Sequence, residues 1–227
     1  MYRRRALLAL LLLVCGIASG EEAGPRATVR HRLSFLGVTR SQEAVPLLVL
    51  LGDRADTPPT VAGVLGSERM RAYHPLYVLA IQAEGIAEQP TVRTVRSTIE
   101  RVRDAYDVDP ARVYLVGEGS GADLIWRLLE SFPLDYAAAV PANGQGAPRL
   151  VERFAEVPMW IFHDADDERV PVDVARATVG ALWAAGADVR YTEYRDQETD
   201  RWAALRREDR LLFWLFMQRR EQGRVNR

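Results

Sequence analysis

The sequence predicts an α/β fold built on a mostly parallel sheet. Short apolar runs bounded by turn residues alternate with longer amphipathic stretches, and neither repeats nor low-complexity tracts interrupt the alternation. The 227 residues, 48% of them hydrophobic, suit one domain with a sizeable core.

Taken in order, residues 26–38 alternate through Val29, His31, Leu33 and Phe35, as a leading antiparallel strand would. Residues 47–51, 77–81, 113–116, 137–140 and 159–162 are continuous apolar runs, the pattern of strands covered on both faces and hence of parallel pairing. Residues 189–194 alternate and belong nearer an edge. Between these runs, residues 91–106 place Val92, Val95, Ile99, Val102 and Ala105 at helical spacing, and residues 172–185 and 201–220 behave similarly. The tail, 221–227, reads as frayed.

The first twenty residues read as an export signal. Arg3, Arg4 and Arg5 precede an apolar run from Ala6 to Val14, and Ala18-Ser19-Gly20 supplies small residues for cleavage. Residues 21–26 would then be a linker and 27–220 the domain. The apolar run is short for a membrane span. Leu12-Leu13-Val14-Cys15 is similar to a lipobox, but Val14 stands where a small residue is required, so a secreted or periplasmic chain is preferred to a lipoprotein anchored at Cys15. Removal of the signal leaves 27 basic against 31 acidic residues, a formal charge of −4, and no cysteine for a disulfide or thiol nucleophile. The intact chain carries −1, and all its basic residues other than histidine are arginine. No whole-chain field draws it to nucleic acid.

From Val108 the chain reads Asp109-Pro110-Ala111-Arg112-Val113-Tyr114-Leu115-Val116-Gly117-Glu118-Gly119-Ser120-Gly121-Ala122, with Trp126 beyond. Ala139-Val140-Pro141, 157–163 ending in His163, Asp166-Asp167-Glu168-Arg169-Val170-Pro171, and the pair Tyr194 and Trp202 follow in order. Together these resemble secreted esterases of the α/β-hydrolase superfamily, in the phospholipase/carboxylesterase, dienelactone-hydrolase-like and polyhydroxybutyrate-depolymerase-like groups. The resemblance implies the α/β-hydrolase fold, a mostly parallel sheet with helices on both faces.

It also implies where a catalytic triad would stand, and here the chain departs. In the pattern G-x-S-x-G the serine occupies a tight strand-to-helix turn. Aligning Gly117, Gly121 and Trp126 puts Gly119 at the nucleophile position, which keeps the turn and deletes the nucleophile. Ser120 follows one place later, turned about 100° around the helix, so two readings stand: a first-turn residue satisfying a backbone group, or a relocated nucleophile. Counting between Tyr194 and Trp202 puts Thr199 at the base position, and a threonine hydroxyl cannot accept a proton near neutral pH as imidazole does. His31, His74 and His163 are the three histidines, and His163 reads as structural.

Asp167 matches the triad acid. Without a histidine to orient, it would cap the helix starting near Pro171 or bind Arg169. Gathering a hard cation with Asp164 and Asp166 is the alternative, although no metal-binding loop pattern supports it and no metal or cofactor is expected. On the oxyanion side, Leu51-Gly52-Asp53 stands where the resemblance implies His-Gly. Gly52 offers a backbone N–H, and Asp53 opposes a developing negative charge unless Arg54 pairs with it. Gln82 is expected to line the same crevice or to be a solvated loop amide. Trp126, Trp160 and Trp202 are expected as core or loop anchors.

The leading expectation is therefore a non-catalytic binding or scaffold protein with a crevice for a small ester, glycan or peptide. The alternative is an active carboxylic-ester or peptide hydrolase using Ser120 with Asp167, Asp196 or Glu198 as base, and a purely structural envelope protein is a third class. Oligomeric state is not legible in the sequence.

Overall fold

The computed structural model describes residues 15–24, 27–36, 44–52, 75–83, 89–195 and 210–220. Eight strands form one sheet: β1 (Cys15–Gly24), β2 (Ala27–Leu36), β3 (Val45–Gly52), β4 (Leu76–Ala83), β5 (Val108–Glu118), β6 (Ala138–Ala142), β7 (Met159–Asp164) and β8 (Val189–Tyr194). Helix α1 (Gln89–Ala105) connects β4 to β5, α2 (Ser120–Ser131) follows β5, α3 (Val172–Ala184) follows β7, and α4 (Leu211–Met217) lies near the chain's end. The sheet order is β1-β2-β4-β3-β5-β6-β7-β8. Pairings β1–β2 and β2–β4 are antiparallel, and the rest are parallel.

The continuous apolar runs divide between two cores because successive side chains of a strand point to opposite faces. Leu47, Val49 and Leu51 of β3, with Val113 and Leu115 of β5, pack with Val92, Val95 and Ile99 of α1, Leu124 and Leu128 of α2, and Val179 and Leu182 of α3. The alternate residues, Leu48, Leu50, Tyr114 and Val116, pack with Leu211, Trp214 and Leu215 of α4. Helices therefore cover both faces, as expected. Trp160 and Trp214 meet edge to face in the second core, where the Trp160 indole donates to Thr192 Oγ1 at 3.0 Å.

Three boundaries differ from the sequence expectation. Strand β5 starts at Val108, ahead of Asp109-Pro110, and the register between Val45 and Leu47 is irregular there. Proline has no N–H for the ladder, so it is tolerated where pairing slips, and Asp109 Oδ1 accepts the Ala111 N–H at 2.9 Å. Within the amphipathic stretch 201–220 the described helix is α4 alone; residues 201–209 lie outside the described residues. Strand β1 takes in residues on both sides of Gly20, so the end of the segment read as an export signal and the first residues read as a linker pair with β2.

The chain turns from β3 to β4 on one side of the sheet and from β5 to β6 on the other. Such a switch point opens a crevice at the carboxyl ends of the strands. Gly52 and Gly119 lie there. The fit is tight enough to exclude a methyl group: a Cβ on Gly121 would lie 1.9 Å from the Leu51 carbonyl oxygen, and one on Gly117 would lie 2.7 Å from Gly121. Gly121→Ala is accordingly expected to destabilise the chain by about 3 kcal/mol or more through overpacking. Gly180→Ala, on α3 where nothing lies within 4 Å of the added carbon, is expected to stabilise by about 0.5–1 kcal/mol. Paired urea unfolding curves measure both, and equal effects would contradict the packing argument.

Candidate functional site

The expected site residues fall along one edge of the sheet. Strand register sets Gly52 beside Gln82, Leu51 beside Gly117, Glu118 beside Ala142 and Asp164 beside Tyr194. Gly119 follows β5 as the N-terminal cap of α2, with φ 59° and ψ −117°. That backbone region is strained for a residue with a side chain, by about 1–3 kcal/mol, and open to glycine. Its N–H donates to the Ala142 carbonyl at 2.9 Å, and its own carbonyl accepts the Asp123 N–H at 3.1 Å, so the turn is held from both sides. The Gly52 nitrogen lies 3.0 Å from the point where a Gly121 Cβ would stand, which puts the end of β3 directly against the first turn of α2.

Ser120 is the first residue of α2 and is half-buried. The expectation that it satisfies a backbone group is corrected: no side-chain cap bond forms at this helix end, and its hydroxyl has no hydrogen bond among the described residues. Instead it lines a cavity of about 430 Å³ with Asp123, Trp126, Gln145 and Arg149. Neither Gly52 nor Gln82 lines that cavity. Position explains the separation, because the face of α2 carrying Ser120, Asp123 and Arg127 turns toward the loop after β6 rather than toward β3.

Of the two tasks expected of Asp167, it binds Arg169, through the backbone N–H rather than the guanidinium, and it does not cap the helix. Its Oδ1 accepts the backbone N–H of Arg169 at 2.7 Å and of Val170 at 2.9 Å, so it braces the 167–170 turn. Helix α3 begins after Pro171 with no side-chain cap, and the Arg169 guanidinium goes elsewhere. It donates to Asp123 Oδ2 at 3.1 Å and to the Asn143 carbonyl. The proposed cation group does not converge either. Asp164 Oδ1 accepts the Asp166 N–H at 3.0 Å, and among the described residues no three His, Cys, Asp or Glu side chains gather at metal-binding distance.

Of the histidines, His163 is 1% exposed and its Nε2 lies 2.9 Å from the Val170 carbonyl oxygen, another brace on the same turn. His31 lies on β2, three strand spacings from β5, or about 14 Å. Burial lowers its pKa. Neither meets Ser120 in a hydrogen bond. His74, Asp53, Arg54, Asp196, Glu198, Thr199 and Trp202 lie outside the described residues. Trp126, expected as an anchor, is buried against Phe154 with ring centroids 5.9 Å apart.

Sequence reasoning missed the residue that joins these loops. Asn143 sits after β6 at φ 54°, in the left-handed region. Its N–H donates to the Phe162 carbonyl at 3.0 Å, its Oδ1 accepts the Asp164 N–H at 2.8 Å, and its Nδ2 donates to the Tyr194 hydroxyl at 2.9 Å. One amide side chain thus ties β6, β7 and β8 together. The available signal was Asn143-Gly144 closing an apolar run, since Asn tolerates that backbone region better than other side chains. Asp123 was missed too; its Oδ1 accepts the Gln145 N–H at 2.7 Å.

The described residues therefore hold a tight strand-to-helix turn headed by a glycine. Beside it stand a serine that lines a cavity and a carboxylate that braces its own loop. No family model matches the sequence, and no curated protein matches it. Among solved structures, a thermostable esterase is 28% identical with a TM-score of 0.79 over 89% of this chain and 63% of the esterase. Thermogutta terrifontis esterase 2, phosphorylated by paraoxon, is 16% identical with a TM-score of 0.60, covering 83% of this chain and 90% of its own. Pyrococcus horikoshii acylaminoacyl peptidase is 12% identical with a TM-score of 0.66 over 92% of this chain and 42% of the peptidase. The chain thus spans less than two thirds of the first and third of these proteins.

The phenol that Asn143 holds gives this strand-end network a titration signature. Burial pushes the Tyr194 phenol up to about 12, the Asn143 amide opposes the rise, and the carboxylates of Asp164, Glu118 and Asp167 add to it. In the unfolded chain it titrates near 10, so between those values the unfolded state releases a proton that the folded state keeps. Its contribution to stability is full below pH 10 and is lost as pH rises through 12. Tyr194→Phe is expected to cost about 1 kcal/mol at neutral pH and to remove one phenolate from the absorbance titration near pH 12. An unchanged titration curve would contradict the assignment.

Proposed function

The chain has the α/β-hydrolase fold, and we propose that it is an exported member of that fold that binds a small ester, glycan or peptide without cleaving it. One observation carries the reading: Gly119 holds φ 59° and ψ −117° at the head of α2, with Gly117 and Gly121 packed against each other and against Leu51. The turn that would present a nucleophile is kept, and the group that would attack a carbonyl is not on it. Thr199 in the base position supports the same conclusion from the sequence side, because a hydroxyl cannot take the proton a serine must lose. The cavity that Ser120 lines supplies a place where a ligand binds without being cut.

Export is read from Arg3-Arg4-Arg5, the apolar run after it and the small residues to Gly20. No described helix is long and apolar enough to cross a membrane. N-terminal mass spectrometry of the chain produced in an exporting bacterium is expected to find cleavage after Gly20. A diacylglyceryl group on Cys15 would instead assign a lipoprotein.

A second reading has one observation in its favour. Ser120 opens onto a cavity, and an ester or peptide hydrolase using it would need only a base. Against it, both oxygens of the neighbouring Asp123 are engaged, by Gln145 and Arg169, and Asp167 Oδ1 is held by backbone N–H groups.

Fluorophosphonate labelling and short p-nitrophenyl ester turnover separate the two. The mature chain is expected to be silent to both; labelling that disappears in Ser120→Ala would establish the second reading. Gly119→Ser with Thr199→His is expected to recover measurable labelling, at a stability cost of about 1–3 kcal/mol for a side chain in the strained turn. Silence in a folded double variant would show that the two positions do not meet.

A further inference from the structure

The cavity beside α2 lies between the helix face from Ser120 to Glu130 and the loop 145–150, and its volume of about 430 Å³ is ample for a small molecule. Its lining holds two carboxylates and two arginines, but the carboxylates also take cations from outside. Asp123 is occupied on Oδ1 by the Gln145 N–H and on Oδ2 by Arg169, which comes from outside the cavity. Glu130 faces Arg127 at 3.3 Å and Arg153, again from outside, at 3.9 Å. Both carboxylates and one arginine are therefore committed. Arg149, on the loop wall, is exposed and has no ion-pair partner among the described residues. The rest of the wall combines an apolar part, Trp126, Ala147, Pro148 and Leu150, with the polar side chains of Ser120 and Gln145.

We propose that this cavity binds a small amphipathic carboxylate, its anionic group paired with Arg149 and its acyl or aryl tail laid against Trp126 and Leu150. A guanidinium fork matches a carboxylate in two parallel hydrogen bonds. A phosphomonoester, with close to two negative charges, would meet Asp123 and Glu130 in the same space with only one uncommitted cation to offset them. The inference deepens the non-catalytic reading and rests on it, since it names what is held in a pocket that does not cut.

Calorimetric titration of the full chain tests it with hexanoate and phenylacetate, their methyl esters, and hexyl phosphate. The two acids are expected to bind at least tenfold more tightly than their esters and than hexyl phosphate. Arg149→Gln is expected to weaken the acids by about tenfold or more, as loss of a charge-assisted pair should. Arg103→Gln, the same change of charge on α1, is expected to leave them unaltered. Equal affinity for acids and esters, preference for hexyl phosphate, undiminished binding by Arg149→Gln in a chain with native circular dichroism, or no binding of either acid would each overturn the proposal. Ester turnover with fluorophosphonate labelling would overturn the non-catalytic reading whatever the titration gives. Absent acid binding in a chain silent to the probe would overturn the ligand class alone.

Discussion

The close approach of helix α2 to the central strands is the constraint on which the rest of this structure depends. Gly121 lies so near the Leu51 carbonyl that a methyl group would overlap it, and Gly117 closes against Gly121 from the other side. Those two contacts leave no room for a gradual passage from β5 into α2. The chain must reverse in one residue, and Gly119 takes the strained dihedrals that this requires. A glycine there relieves the strain that a catalytic side chain would impose.

Around this turn the loops are held by a polar framework. Asn143 joins three strand ends, and Arg169 crosses from the loop after β7 to Asp123 on α2. Buried or half-buried polar groups of this kind are costly unless paired, and here each is paired with a group from a different element. Two carboxylates near this turn, Asp123 and Asp167, are employed in holding loops. Asp167 and Asp123 spend oxygens on backbone N–H groups, and His163 lies within hydrogen-bond reach of the Val170 carbonyl. Arg149 lines the cavity beside α2.

Much of the architecture was legible because its signals are local. The apolar runs of β3, β5 and β7 read as strands covered on both faces, and alternate residues of β3 and β5 do enter two separate cores. The spacing Val92-Val95-Ile99-Val102 read as a helix face and is one. The strand read at 113–116 begins earlier, with Asp109-Pro110 inside β5, because an irregular register accepts a residue that cannot donate. At the site, the Gly-x-Gly-x-Gly spacing was enough to locate a tight strand-to-helix turn. Asp167 was found with Arg169 as a partner, but that it takes the backbone N–H rather than the guanidinium, and Val170 with it, was not, since direction is not encoded in residue identity.

By itself, then, the sequence determined which backbone positions could be strained and which side chains were missing: glycine at 117, 119 and 121, and no histidine between Tyr194 and Trp202. Those are properties of single residues and short spacings. Tertiary structure alone decided who meets whom: Asn143 with Tyr194 across 51 positions, Arg169 with Asp123 across 46, and Ser120 with the loop carrying Arg149. Hydrogen bonds and ion pairs act over a few ångströms and demand alignment. Only the folded sheet, by bringing its strand ends into one row, sets those distances and angles.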